Sequence, residues 1–308
     1  MIKKEKKLDL LIIGSGPAGL TAAIYAARLK LKTLILEDEL VGGQIKDAYT
    51  VENYPGFISI SGSDLIDKIQ NQAINYGVEI DEFDKIVSVK LTNNEKIIET
   101  KSYIYKPKAV IIAAGAKKRE LPISEEKNFH GKGIHYCELC DGHLYEGKHI
   151  AVVGGGNSAV QAANFLSKYA KKITLIHKRN YLRADKKNQQ ELFDNKKVEI
   201  LWNSKIQHAI GDNKLEAVLI ENEKETYKLD LDGIFVYIGV TPRTDLYKDY
   251  LNLNSSGNIE ASETCETNIK GVFAAGDVRT KPFRQLTTAV SDGTTAALMA
   301  EKYIKNEY

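Results

Sequence analysis

The chain is 308 residues long, 43% hydrophobic and 27% charged, with a formal net charge of +2. That fits a folded protein with room for two cores and gives no electrostatic reason to expect nucleic acid or a membrane as partner. The opening MIKKEKK is basic, but only LDLLII follows before a glycine, and nowhere do about 18 apolar residues run together; the lysines read as a solvated tail.

Along the chain, the first pattern runs from Leu10 to Asp38, LLIIGSGPAGLTAAIYAARLKLKTLILED. An apolar run passes through a glycine turn into an alanine-rich helix and returns as a β-branched strand, a βαβ unit. The pattern recurs at an offset of 140, from Ile150 to Lys178, as IAVVGGGNSAVQAANFLSKYAKKITLIHK. Gly14 aligns with Gly154, Gly16 with Gly156 and Gly19 with Ala159, without a gap. In such a turn the first glycine allows the bend and the second lets backbone approach a pyrophosphate. The third small residue brings helix to strand, and the helix N-terminus offers free N–H groups to the phosphates. One such pattern is weak; two, each between strand and helix, are strong.

The ends of the second strands separate the two ligands. Glu37, 23 residues after Gly14, is an acid where a ribose 2′-hydroxyl would donate, so the first site suits FAD. His177, Lys178 and Arg179 begin 23 residues after Gly154, and Arg183 follows. A basic cluster there welcomes a 2′-phosphate, so the second site prefers NADP(H) over NAD(H).

Ala109 to Pro122 reads as a buried strand ending in a glycine turn, closing the first domain, and Gly233 to Leu246 closes the second in the same way. The tail from Gly271 offers a strand, a Gly-Asp turn and a long helix to Ile304 that belong with the first domain, so the second is inserted within it. Just before the second glycine motif stands YCELCDG, with Cys137 and Cys140 three apart and His130, His135 and His143 close by. Three cysteines and no export signal suggest a reducing cytoplasm, where a close cysteine pair is a metal ligand set or a redox couple. Zinc would need four ligands and so two of those histidines, and Cys140 and His143 are suitably spaced; both readings stand. Cys265 has no partner nearby and reads as structural or incidental.

GSGPAG, GGQ at 42–44, ENYPG at 52–56, YCxxCDG at 136–142, GGGNSA at 154–159, HKRxxxRA at 177–184 and AGDVxxxxxRQ at 275–285 occur in the order and spacing of low-molecular-weight thioredoxin reductases. The chain resembles that family over essentially its whole length. The resemblance implies an α/β fold of two Rossmann-like three-layer nucleotide-binding domains, the second inserted in the first: FAD-binding residues 1–117 and 247–308, and NADP(H)-binding residues 118–246 carrying the CxxC. It implies a cytoplasmic homodimer, with FAD and NADPH as cofactors and a thioredoxin-like protein as partner. Cys137 and Cys140 would form a redox disulfide, with Cys140 on the flavin side, Cys137 attacking the substrate and Asp141 transferring protons. FAD would lie against Gly14, Ser15, Gly16, Pro17, Ala18, Gly19, Glu37, Gly43, Gln44, Asn53, Gly115, Gly276, Asp277, Arg284 and Gln285. NADPH would lie against Gly154, Gly155, Gly156, Asn157, Ser158, Ala159, His177, Lys178, Arg179 and Arg183. Because cysteines and nicotinamide share a domain and both need the flavin, the resemblance also implies a rotation about the connections near 115–122 and 240–249.

Several positions depart from the family's usual pattern. Lys178 stands for an arginine, Gln161 and Ala162 replace an acidic pair, and His135 and His143 take places usual for small or aromatic residues. His143 near the thiols would titrate near neutrality and assist them, or else serve packing. Glu138 and Leu139 are atypical between the cysteines; an acid there raises a thiol pKa and makes the couple more reducing. Rival readings are a ferredoxin-dependent flavin thioredoxin reductase with an eroded nucleotide site and a non-catalytic flavin- or zinc-binding redox sensor. A third, a ferredoxin/flavodoxin–NADP reductase, shares the two-domain plan but lacks the CxxC.

Overall fold

The computed structural model describes residues 3–48, 51 and 53–306; the side chains of Asp47, Leu139 and Cys140 lie outside the description. The chain divides into two compact units, one of residues 1–117 with 241–308 and one of residues 118–240.

The first unit opens with β1 (Lys4–Ile13), α1 (Pro17–Arg28) and β2 (Thr33–Glu37), then α2 (Gly62–Asn75), β3 (Glu79–Glu82), β4 (Ile86–Leu91), β5 (Lys96–Thr100) and β6 (Tyr103–Ile112). Among the described residues its sheet runs β3-β2-β1-β6-β5-β4. The β3, β2, β1 and β6 strands are parallel, whereas β5 and β4 turn back antiparallel beyond β6. The run LLII of β1 carries no polar residue because both faces are covered, as parallel strands require. Leu10 and Ile12 face α1 and α2, while Leu11 and Ile13 pack with Val110, Ile112, Tyr247 and Leu251 on the opposite face.

The chain leaves through β7 (Ala116–Lys118). The second unit then contains α3 (Glu126–Phe129), β8 (Ile134–His135), α4 (Glu138–Asp141), β9 (His149–Gly154), α5 (Asn157–Leu166), β10 (Lys172–Ile176), α6 (Lys186–Asp194) and β11 (Val198–Leu201). An antiparallel meander of β12 (Lys205–Gly211), β13 (Leu215–Glu221) and β14 (Thr226–Asp230) precedes β15 (Gly233–Tyr237). Strands β11-β10-β9-β15-β8 form a parallel sheet. Ile150 and Val152 of β9 face α5, and Ala151 and Val153 face the meander, the same two-sided burial as in β1.

β16 (Val240–Pro242), which pairs with β7, leads to the returning segment, where β17 (Val272–Ala274) adds to β6 and α7 (Leu286–Lys305) closes the chain. Packing of α7 on α1 depends on Gly293, where a Cβ would lie 2.2 Å from the Ala18 carbonyl oxygen. No described helix is long and apolar enough to cross a membrane.

Candidate functional site

The two glycine turns are built alike. Gly14 and Gly154 have φ of +101° and +148°, and a Cβ on either would lie 2.4 or 2.3 Å from a carbonyl oxygen, that of Ala113 or of Tyr237. Only glycine fits there without strain. Gly16 and Gly156 cap α1 and α5 in extended conformations, neither helix start has a side-chain cap, and a Cβ on either glycine would meet nothing within 4 Å. Each turn is therefore an open cradle beside uncapped helix N–H groups, the surface a pyrophosphate needs. The third position differs. A Cβ on Gly19 would sit 1.9 Å from the Gly14 carbonyl oxygen, whereas the wider second turn accommodates the methyl of Ala159.

In the first unit, Glu37 ends β2 and is buried, accepting from the Ser15 N–H at 2.9 Å and hydroxyl at 2.6 Å and from the Glu39 N–H at 3.1 Å. Pro17 and Ala18 open α1 behind Gly16, and Gly43 starts a 3-10 turn, Gly43–Asp47, whose Cα-side approaches the Gly16 Cα: a Cβ on Gly43 would lie 3.3 Å from it. Gln44 donates to the Ala116 carbonyl beside Gly115, itself at φ +67°. Asn53 donates to the Gln285 side chain at 3.3 Å, and Gln285 caps α7 in a reciprocal box with Thr288. Asp277 follows Gly276, and its Oδ1 is buried with no hydrogen-bond partner. Burial pushes its carboxyl above the usual range, while Lys281 and exposed Arg284 pull it back. A buried acceptor with a spare lone pair fits a ligand hydroxyl or N–H, as a bound flavin nucleotide supplies.

In the second unit the basic loop lies over the glycine turn. Arg183 N–H donates to the Gly155 carbonyl at 2.7 Å, and a Cβ on Gly155 would lie 2.3 Å from the His177 ring. Lys178, Arg179 and Arg183 are exposed, and Arg179 stacks on Tyr181 with its Cζ 5.6 Å from the ring centroid. Burial, with these three cations, depresses the His177 pKa, and its Nε2 has no partner. Asn157 accepts from the Asp185 N–H at 2.7 Å and donates to its carboxylate at 2.9 Å, tying the loop to the start of α5, where Ser158 follows.

Cys137 is disulfide-bonded and stands immediately before α4, receiving the Asp141 N–H on its carbonyl at 3.2 Å. The Cys140 side chain lies outside the described residues. His135 Nδ1 lies 3.2 Å from Asp141 Oδ2, and its Nε2 lies 2.7 Å from the Tyr145 hydroxyl. Tyr237 bonds Glu138 through both its amide and its carboxylate. His130 pairs with Glu126 and stacks on Tyr136. Two of the three histidines near the cysteines are thus committed to other partners, and among the described residues no group of three His, Cys, Asp or Glu is arranged to hold a metal ion. Cys265 is buried, its Sγ 3.6 Å from the Asp292 carbonyl oxygen, and burial pushes its thiol up to about 12, which leaves it unreactive.

Sequence patterns gave no sign of Tyr145, Tyr237 or Asp292. The Asp292 carboxylate accepts from the Gly276 N–H at 2.9 Å, Arg279 at 2.9 Å and Lys281 at 2.8 Å, fixing the turn that carries Asp277. Tyr237 is 99 residues from Glu138, and no local spacing signals such a tie.

Residues 8–293 match the model of the pyridine nucleotide-disulphide oxidoreductase family. The chain is 63% identical to the 34.2 kDa protein in the rubredoxin operon of Clostridium pasteurianum, over 98% of this chain and 99% of that one. It is 42% identical to the thioredoxin reductase of Peptoclostridium acidaminophilum over 99% of each. The crystal structure of the Lactococcus lactis thioredoxin reductase superposes with a TM-score of 0.81 at 38% identity, covering 97% of this chain and 99% of that one. The chain belongs to the pyridine nucleotide-disulphide oxidoreductases and, within them, stands with the low-molecular-weight thioredoxin reductases. Two Rossmann-like domains, FAD and NADPH are the fold and cofactors of that family.

Proposed function

We propose that this protein is a thioredoxin-disulfide reductase that draws electrons from NADPH and delivers them through the Cys137–Cys140 pair. The observation that carries the reading is a disulfide-bonded Cys137 at the foot of α4, in the same unit as the basic second glycine turn. Bound NADPH and FAD supply a two-electron reductant able to open a disulfide. The chain's residues do the rest. Gly14, Gly16 and Glu37 seat the first dinucleotide, with Asp277, Gln44, Asn53, Arg284 and Gln285 around the flavin end. Gly154, Gly156, His177, Lys178, Arg179 and Arg183 seat the second and select its 2′-phosphate. Cys137, as thiolate, attacks the substrate disulfide, Cys140 would be the sulfur that takes electrons from bound flavin, and Asp141 carries the proton between sulfurs.

The 118–240 unit carries both the cysteines and the pyridine-nucleotide loop. They take turns at the flavin by rotation about β7 and β16, next to Gly115 and Gly239 with φ of +67° and +107°. One conformer holding nicotinamide and cysteine pair together against the flavin ring would contradict that step. The working form is a cytoplasmic homodimer, which sedimentation of the holoprotein tests.

Anaerobic mixing of the FAD-loaded protein with NADPH, NADH or reduced ferredoxin, followed by oxidised thioredoxin, is the direct test. The expected result is bleaching of the flavin band by NADPH, weaker bleaching by NADH, and recovery of colour with thioredoxin. In Cys137→Ser the bleaching persists and thioredoxin reduction stops. Bleaching by ferredoxin alone would overturn the donor, and undiminished thioredoxin reduction by Cys137→Ser would overturn the route.

A further inference from the structure

His135 is buried among aromatic side chains of the second unit. The ring is buried, 5% exposed, on the short strand β8, whose backbone pairs in register with Phe235 of β15. It stacks on Phe235 with centroids 5.4 Å apart at 27° and meets Tyr145 edge-on at 5.4 Å. Tyr145 in turn stands edge-on to Phe235 at 5.5 Å, and a Cβ on Gly233 would lie 2.3 Å from the Tyr145 ring. Two aromatic rings, Phe235 and Tyr145, thus fix the imidazole in one orientation. Its polar edges point to two groups, Nδ1 to Asp141 Oδ2 at 3.2 Å and Nε2 to the Tyr145 hydroxyl at 2.7 Å.

The two partners together set which nitrogen carries the proton: a carboxylate accepts, which places the hydrogen on Nδ1 and leaves Nε2 to accept from the Tyr145 hydroxyl. Burial, with the negative charges of Asp141 and Asp232, pushes its pKa up to about 12, so at neutral pH it keeps its proton and can donate to Nε2. A neutral imidazole that accepts at Nε2 carries its hydrogen at Nδ1, aimed at Asp141. Lys148 also borders this cluster, its Nζ 5.4 Å from the Tyr145 centroid, and the Glu138 carboxylate, bonded to Tyr237, stands on the same short helix as Asp141. Asp141 is the outer end of this relay: its side chain is 30% exposed while that of His135 is buried, and its own amide donates to the Cys137 carbonyl.

We propose that His135 is a positioning residue that holds the Asp141 carboxylate beside the cysteine pair through Nδ1–H, with Tyr145 fixing the tautomer from the other side of the ring. This rests on the reading of Asp141 as the proton carrier. When the pair's disulfide opens, it takes two electrons and one proton and becomes one thiol and one thiolate. The proton comes from Asp141, and the Nδ1–H bond holds the carboxylate that remains. In exchange with the substrate, the pair returns both electrons to the substrate disulfide, which opens to a thiol and a thiolate. The proton travels through Asp141 to the substrate sulfur.

The test uses the FAD-loaded holoprotein, reduced anaerobically with dithionite and mixed with oxidised bacterial thioredoxin across pH, with flavin reduction by NADPH as control for folding and loading. His135→Phe keeps the stack and removes the donor. Its exchange step slows about ten-fold, a fraction of what general acid–base catalysis contributes. The limb of the pH profile set by this proton transfer moves up, because a carboxylate that loses a donor holds its proton more tightly. His135→Asn, whose amide nitrogen stands near the place of Nδ1, restores most of both. If His135→Phe fails to fold, Tyr145→Phe, which keeps the ring and removes only the hydroxyl, moves the same limb in the same direction. Asp141→Asn separates the two claims: if it exchanges at the parent rate, Asp141 is not the proton carrier and the underlying reading falls. If it is slow while His135→Phe and Tyr145→Phe leave rate and limb unmoved, the role given to His135 falls alone.

Discussion

The Tyr237 hydroxyl holds Glu138 at two points, accepting its amide N–H at 3.0 Å and donating to its carboxylate. Tyr237 ends β15, directly opposite Gly154 in the register of the second sheet. One residue therefore joins the nucleotide turn, through its backbone, to the acid between the two cysteines. Burial and the neighbouring Glu138 carboxylate raise the Tyr237 pKa far beyond neutral pH, so the hydroxyl remains a donor.

This arrangement places a negative charge, partly neutralised by one hydrogen bond, within the CxxC. A nearby anion disfavours thiolates, and higher thiol pKa values make the dithiol the stronger reductant. Glu138→Gln removes the charge and is expected to raise the potential of the pair by about 30 mV, corresponding to roughly 1.4 kcal/mol for a two-electron couple. Tyr237→Phe leaves the carboxylate with less compensation and shifts the potential the other way. Equilibration of the holoprotein with glutathione buffers, read by thiol alkylation, measures both. Shifts of the same sign would remove Glu138 from control of the couple.

Asp277 allows stability and ligand binding to be pulled apart. Its folded-state pKa is raised by burial, so the native protein without flavin binds more protons than the unfolded chain. That difference costs stability above about pH 4, where a free carboxyl ionises, and the loss grows as pH rises through the folded pKa. Asp277→Asn is therefore expected to make the flavin-free protein more stable at neutral pH and its melting temperature less dependent on pH. If the orphaned Oδ1 is a flavin acceptor, the same change weakens FAD binding by up to about ten-fold, because a neutral amide oxygen accepts more weakly than a carboxylate. Melting curves and flavin titration of the flavin-free protein check both. Lower stability together with unchanged FAD affinity would reverse the interpretation.

Legibility in the sequence followed the range of the interactions. Both βαβ units could be read because each is set by residues within about thirty positions: an apolar run, a glycine turn and a small-residue helix. The echo at an offset of 140 reappears in backbone detail, with positive φ at Gly14 and Gly154 and extended caps at Gly16 and Gly156. The three-stranded meander β12–β14 was not read, because its strands mix exposed charges with a one-sided apolar pattern and contain register shifts at Ile206/His208 and Ile210/Gly211. Around the cysteines the notable residue types were visible, but their pairing was not. His135 had no partner stated from sequence; the turn Gly142–Tyr145 and the β8–β15 register bring it to Asp141. Contacts such as Tyr237 with Glu138 arise only when distant strands meet, which spacing along one chain does not encode.

The second glycines of the two turns offer the cleanest separation of folding from binding. Gly19→Ala would bring a methyl within 1.9 Å of a carbonyl oxygen, so its loss of function would say nothing about phosphate. Gly16 and Gly156 differ: their φ values of −69° and −95° suit alanine, and no atom stands within 4 Å of the added Cβ. Gly16→Ala and Gly156→Ala are therefore expected to leave the melting temperature of the flavin-free protein within about 2 °C of the parent, since neither strain nor a clash is introduced. The methyl instead occupies the space a pyrophosphate oxygen needs against the helix N–H groups. Gly16→Ala should then weaken FAD binding about ten-fold or more while leaving NADPH contacts intact. Gly156→Ala should keep bound FAD and raise the NADPH concentration needed for half-maximal flavin bleaching by a similar factor. The decisive outcome is the crossover: if either variant weakens both nucleotides equally, the assignment of one dinucleotide to each turn is wrong.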